Sequence, residues 1–491
     1  MSILIKQAGV ISTADFLRLF VKTIIGVLLA RILTQTDYGT YRQLFMIYTL
    51  LSSIFMLGLP QSIYYYIPKS DPDTRKRFIK QTIDLATILG ILSTFALLLT
   101  KNAIASLFNN PNLSLTLTIY AIYPFCMFLS QIYYSIMLGC QNIKKAAYFI
   151  ILAVVLDFVL IIGIALLTQR LNYILLGVII SVLIQWIYAR ISLVSYSYNE
   201  SIVYYDKSLL SQQLKFSLPI GVAALVGVIS AQMDKVIISS YLTPELFAVF
   251  SIGATELPFM GIIINSVNAV ILPEMSKYKD ADSISALYKG AIRKNALILF
   301  PIFALCMIYA PQIITILYSD KYITAVPIFR FYLLTIPLRI ATYGLLFQVY
   351  NKTKIILYIS ILTLFLNTAI SIILIKNIGI IGPAISTVFV TYITVIIYLL
   401  LIKKELRIEF KSLFPITSLT RTFIASIVTA SLCFFVNYVK IAAFYQLIIG
   451  ILAFAITYYL LGSFINAILP YDRQMIKSIL QSLYKRAIQK L

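Results

Sequence analysis

Leu33-Thr34-Gln35-Thr36-Asp37-Tyr38-Gly39-Thr40-Tyr41 is restated about two hundred residues later as Leu242-Thr243-Pro244-Glu245-Leu246-Phe247-Ala248-Val249-Phe250. Both phrases spell Leu-Thr, three spacers, an aromatic, a small residue, a spacer and an aromatic. Both sit between long apolar stretches. Echoes of this kind at a fixed period are the mark of a fold assembled from internal repeats.

The surrounding composition sets the solvent. Of 491 residues 60% are hydrophobic and 12% charged, against about a quarter charged in a soluble globular chain. Apolar runs of about 20 residues cross a hydrocarbon core as helices, because lipid offers no partner to an unpaired backbone N–H or C=O. The expectation is an all-α polytopic membrane protein of about fourteen spans, near 10–33, 41–67, 81–100, 115–139, 146–168, 172–194, 216–240, 246–272, 295–317, 323–350, 355–375, 379–402, 422–439 and 442–467. Asp15, Arg18 and Lys22 interrupt the first run, unlike the core of a cleaved signal peptide. The four cysteines fall inside apolar segments at unrelated spacings and read as small buried hydrophobes, and there is no histidine.

Lysine and arginine give the orientation. Loops holding Arg75, Arg77, Lys80, Lys144, Lys145, Lys403 and Lys404 alternate with poor ones holding Lys101, Arg170 or Lys321. Positive loops stay inside, so both termini face the cytoplasm. The net charge of +22 is then a topology signal and a contact with anionic lipid headgroups, not a nucleic-acid surface. Residues 471–491, with Ile476, Ile479, Leu480, Leu483 and Ala487 at helical spacing, read as an amphipathic inner-leaflet helix or as a solvated helical tail.

The echo extends along the chain. Pro68 answers to Pro273, Leu107-Phe108 to Leu317-Tyr318, Asp157 to Asn367 and Gly177 to Gly382, all offset by roughly 205–210 residues. The expected organisation is an N-lobe 1–195, a linker 196–214, a C-lobe 215–410, an added helix pair 411–469 and a basic tail 470–491. Six helices per lobe relate the lobes by an axis along the membrane normal, with a central cavity.

Asp234-Lys235-Val236-Ile237-Ile238-Ser239-Ser240-Tyr241-Leu242-Thr243-Pro244-Glu245 with Phe247-Ala248-Val249-Phe250, and its counterpart Ala30 to Gly39, resemble the bacterial polysaccharide flippases of the multidrug/oligosaccharidyl-lipid/polysaccharide exporter superfamily. The resemblance covers essentially the whole chain. It implies translocation of a polyprenyl-pyrophosphate-linked oligosaccharide, as for O-antigen, capsule or exopolysaccharide, across the bacterial cytoplasmic membrane by alternating access. It further implies a non-enzymatic protein, functional as a monomer, that works beside polysaccharide polymerase machinery. It also places a prenyl tail in a groove beside the last two helices.

Ionisable residues at membrane depth carry the candidate site, since each costs roughly 2.5–3.5 kcal/mol at a helix centre. Asp15, Arg18 and Lys22 share one face of the first helix. Arg18, Lys22, Arg42, Lys235 and Arg339 are the candidate cations for a pyrophosphate and sugar acids. Asp15, Asp157, Asp234 and Glu256 are candidates for charge balance or for a driving Na⁺ or H⁺, with no other cofactor expected. Alternatives stay open: Asp15 and Arg18 as a purely structural pair, and Arg42 snorkelling to headgroups. Tyr64, Tyr65, Tyr66, Tyr133 and Tyr134 read as sugar-stacking or packing groups. Pro60, Pro219, Pro258 and Pro337 are hinge candidates. A cation-coupled multidrug exporter of the same fold is the first rival, and a membrane glycan polymerase or ligase the second. No nucleophile elbow, phosphate loop or metal motif supports the latter.

Overall fold

The computed structural model describes residues 2–196, 206–255, 257–278, 280–439, 441–474, 477–478 and 481. Among them there are helices and turns and no strand. Glu256 and nearly all of the tail positions that carry the amphipathic expectation lie outside the described residues.

Packing divides the chain into two compact units. One holds residues 1–252 with 360–383, the other 253–359 with 384–491. These cuts fall elsewhere than the lobes drawn from the repeat, because duplication records ancestry of sequence whereas the units record which helices pack together.

The first unit contains α1 (Ser2–Ile32), α2 (Gln35–Met56), α3 (Leu59–Tyr66), α4 (Pro72–Leu107), α5 (Asn112–Tyr120), α6 (Tyr123–Gly139), α7 (Ile143–Asp157), α8 (Gly163–Thr168), α9 (Leu171–Leu193), α10 (Lys207–Tyr241) and most of α11 (Pro244–Gly253). Its core runs through Ile63, Phe78, Ile83, Phe128, Ile132, Tyr133, Ile136 and Ala189, all essentially inaccessible. The second unit contains α12 (Pro258–Met275), α13 (Ala281–Ile308), α14 (Ala310–Tyr318), α15 (Val326–Leu333) and α16 (Gly344–Val349). After α17 (Thr353–Ile378), most of which belongs to the first unit, it continues with α18 (Gly382–Leu401), α19 (Phe410–Leu413), α20 (Ile416–Cys433) and α21 (Ala443–Phe464).

Several helices begin well before their apolar windows. Asp71, Asp206 and Asp280 stand at N-caps and accept hydrogen bonds from backbone N–H groups one turn in. This satisfies donors that lipid could not. The second half of the expected linker 196–214 is therefore the first turns of α10. By length and apolarity eight helices can cross a membrane, or eleven if each bent pair is one span. The expected fourteen is not reached by that measure for identifiable reasons. The three charges on α1 exclude it, segment eight is broken between α11 and α12, and the run Thr353–Leu406 counts once.

Breaks fall where the chain cannot continue a helix. Gln35–Met56 and Leu59–Lys69 meet at 49° across Leu57 and Gly58, which have φ of +26° and +76°. Pro60 follows in the first turn of α3, where its missing N–H costs nothing. Pro258 likewise opens α12. Pro337 lies in the short 3-10 turn Ile336–Ile340 just beyond a 41° bend. Pro219 stands inside the continuous helix α10.

The doubled phrase has a local physical meaning in both copies. Leu33 ends one helix and Thr34 caps the next, accepting from the Asp37 N–H. In the second copy Thr243 precedes α11, whose first residue is Pro244. The aromatic Tyr38 and its counterpart Phe247 are both buried, as are Tyr41 and Phe250. Cap and buried aromatic together fix how the chain turns from one helix into the following one.

Candidate functional site

The first unit contains an open cavity of about 630 Å³. Its ionic face comes from α1. Asp15, Arg18 and Lys22, spaced i, i+3 and i+7, all line it, as a 3.6-residue period requires. Arg18 Nη2 bonds Asp15 Oδ1 at 2.6 Å. The Tyr134 hydroxyl donates to Asp15 Oδ2 at 3.2 Å, and the Arg18 guanidinium lies 5.6 Å from the centre of that tyrosine ring. Lys22 is open to the cavity in mid-helix.

Asp157, the last residue of α7, lines the same space and attracts Lys22. It precedes a π-helical turn at Phe158–Ile162, a local widening common at functional positions. Two side chains of α9 hold the carboxylate: Ser181 Oγ donates at 2.6 Å and Gln185 Nε2 at 3.2 Å. Two cations and two carboxylates therefore share the cavity, and its formal charge is balanced.

The lining supplied by α2, α3 and α6 is uncharged and in part polar. Tyr48 of α2 accepts a hydrogen bond from Gln131 of α6, and the Tyr64 and Ser135 hydroxyls meet at 3.2 Å. Tyr48 and Tyr123 pack edge to face with ring centres 4.9 Å apart. Of the tyrosines singled out in the sequence, Tyr64 and Tyr134 line the cavity. Tyr133 is fully buried in the core, and Tyr65 stacks on Phe216 at 4.5 Å, with the Lys69 ammonium 3.6 Å from its ring centre.

The other candidate charges stand apart. Arg42 lies beside Tyr38 and does not line the cavity. Asp234 is buried and accepts from Asn367 Nδ2 at 2.7 Å, while Lys235 reaches Gln232 at 3.3 Å. Arg339 belongs to the second unit and lines a narrow pocket there with Thr255, Tyr332 and Thr335. The grouping of five cations expected from sequence reduces, in this cavity, to Arg18 and Lys22. Gln131, Ser181, Gln185 and Tyr48 were not expected. Their signal is uncharged polarity inside apolar helices, weak beside a full charge. Among the described residues no group of three His, Cys, Asp or Glu side chains is placed to hold a metal ion.

In the same unit α10 is joined to α2 at one end and to α3, α4 and Leu57 at the other. At the repeat-phrase end the Thr36 hydroxyl donates to Glu245 Oε1 and Gln43 Nε2 donates to Ser239 Oγ at 2.6 Å. Asn110 Nδ2 reaches Gln43 Oε1 at 2.7 Å. A Cβ on Gly39 would lie 2.0 Å from the Pro244 carbonyl oxygen, so only glycine admits this approach. At the other end Gln213 of α10 donates to Ser62 at 3.1 Å and to Thr82 at 2.9 Å. There a Cβ on Gly221 would lie 2.2 Å from the Leu57 carbonyl carbon. Small residues for close approach and amides for interhelical bonds are how membrane helices associate.

Residues 28–327 match the family model described as "Polysaccharide biosynthesis protein". The chain belongs to this polysaccharide biosynthesis family. An uncharacterized membrane protein of Methanocaldococcus jannaschii is 24% identical over 437 residues, covering 80% of this chain and 83% of that protein. Among solved structures, the lipid II flippase MurJ in its inward closed conformation has a TM-score of 0.76 at 16% identity, covering 95% of this chain and 99% of that one. An inward-facing multidrug resistance MATE family transporter of the MOP superfamily has a TM-score of 0.62 at 16% identity, covering 79% and 94%. Family and fold agree: this is a multi-pass membrane protein, helical among the described residues, with the fold of the MurJ and MATE structures.

Proposed function

We propose that the protein is a flippase that carries a polyprenyl-pyrophosphate-linked oligosaccharide from the cytoplasmic to the outer leaflet of the cytoplasmic membrane by alternating access. The observation that carries this reading is the pair Arg18 and Lys22, presented into a cavity by an apolar helix, in a member of a polysaccharide biosynthesis family. A pyrophosphate is recognised by charge-assisted hydrogen bonds from such cations. Asp15 and Asp157 keep the empty site neutral, and an anionic headgroup exchanges places with these internal partners. A driving Na⁺ or H⁺ is balanced at Asp157 or Asp234. The prenyl chain stays in lipid outside the cavity. Both termini face the cytoplasm, and the protein acts as a monomer without chemistry of its own.

Cells lacking the protein should accumulate lipid-linked glycan on the cytoplasmic face and lose surface polysaccharide. Wild type should restore it and the double variant Arg18→Ala/Lys22→Ala should not. Full restoration by that variant would remove the basis of the proposal. The balanced charge of the cavity favours one second reading, a cation-coupled drug exporter. Transport of cationic dyes, but of no lipid-linked sugar, by the purified protein would establish it instead.

A further inference from the structure

We infer that the sugar next to the pyrophosphate is uncharged, and that the wall formed by Tyr48, Tyr64, Gln131 and Ser135 selects it. The inference rests on the flippase reading and specifies the substrate class of the same cavity. Every cation lining the space is on α1, and two carboxylates line it with them: Asp15, bonded to Arg18 at 2.6 Å, and Asp157. A pyrophosphate held there draws on both cations. The part of the lining made by Tyr48, Tyr64, Gln131 and Ser135 adds no cation to hold a sugar carboxylate. A uronate placed against it would be a charge taken out of water without a partner, with the Asp15 carboxylate nearby to repel it.

For neutral hydroxyls and amides the same wall is well furnished. Gln131 uses one N–H on Tyr48, and its second N–H and amide oxygen add a donor and an acceptor to the lining. Ser135 Oγ donates to the Gln131 backbone carbonyl at 3.0 Å and accepts from the Tyr64 hydroxyl at 3.2 Å, which leaves both oxygens as acceptors for sugar hydroxyls. The perpendicular rings of Tyr48 and Tyr123 present an apolar surface to the C–H face of a pyranose. At about 630 Å³ the cavity matches a small-ligand site. Selection therefore acts on the headgroup and the sugars nearest to it, not on a long repeat unit.

The test uses the full-length protein in lipid nanodiscs and three probes: farnesyl pyrophosphate, farnesyl-pyrophosphoryl-N-acetylglucosamine and farnesyl-pyrophosphoryl-glucuronic acid. The neutral-sugar probe should bind about tenfold more tightly than the bare pyrophosphate, the equivalent of one or two net hydrogen bonds. The glucuronyl probe should bind no more tightly than the bare one. Equal or tighter binding of the glucuronyl probe relative to the neutral one overturns the inference, with no variant required. In the double variant Gln131→Leu/Tyr64→Phe the ratio of neutral-sugar to bare affinity should collapse to about twofold or less, and a retained ratio also overturns it. Failure of the flippase reading looks different: no probe binds at all, the bare pyrophosphate included, and both statements fall together.

Discussion

Thr36 and Glu245 occupy the same position in the two copies of the repeat, and they hydrogen-bond to one another. Position 36 is the fourth residue of the first phrase and 245 the fourth of the second. A contact between equivalent residues is what a two-fold relation produces at its own axis. The duplicated phrase is therefore both a repeated helix turn and one place where its two occurrences touch. The Asp157 and Asn367 echo has a related outcome. Asp157 faces Lys22 of α1, and Asn367 bonds Asp234 of α10, the helix that answers to α1 in the second copy. The backbone relation is kept while the charge pattern differs.

The Thr36 bond holds the Glu245 carboxyl below the ordinary glutamate range. Stability from a depressed carboxyl is present above its unfolded value, near pH 4.3, and is lost as pH falls through the lower folded value. Spin labels at Asp37 and Leu246 should report a constant separation at neutral pH and a growing open population below about pH 4. Glu245→Gln should flatten that dependence. Because Glu245 is partly exposed, Thr36→Val should cost at most about 1 kcal/mol.

Gly39→Ala and Gly221→Ala should act on opposite ends of the α2–α10 seam. Each added methyl meets backbone, not a flexible side chain, so relief requires the helices to part at about 1–3 kcal/mol. Thiol labelling of single cysteines placed near each end should rise at the phrase end for Gly39→Ala. For Gly221→Ala it should rise at the Leu57 end. Unchanged labelling in both would show that the seam does not hold these helices together.

Lys22 and Asp157 should behave as a coupled pair. Removing either leaves the other charge at membrane depth without its partner, so Lys22→Ala and Asp157→Asn alone should each reduce glycan export by tenfold or more, about 1.4 kcal/mol upward. The double variant should lose less than the sum of the two. Surface polysaccharide measured in a deletion strain reads all three, and strict additivity would show that the two residues act independently.

Arg293 of α13 forms a two-point ion pair with Asp472, at 2.9 and 2.8 Å, within the second unit. Asp472 is almost fully buried and also accepts from the Leu469 N–H. Breaking a buried pair on one side costs about 3–5 kcal/mol. Asp472→Asn should lower the melting temperature of the purified protein and expose the segment after α21 to protease. Arg293→Met/Asp472→Leu should recover much of the loss, since an apolar pair leaves no orphan charge.

What depends on neighbours along the chain was legible in the residues. Apolar run length gave a helical membrane protein, and the i, i+3, i+7 spacing put Asp15, Arg18 and Lys22 on one face. Tertiary structure alone decided which distant groups meet: Thr36 with Glu245, Lys22 opposite Asp157, Gln131 with Tyr48, and Arg339 in a different unit from the other cations. The division follows from the physics. Solvation and backbone hydrogen bonding act locally, so composition and spacing record them directly. Pairing between helices depends on their rotation and sliding against one another, which glycines such as Gly39 and Gly221 permit but do not spell out.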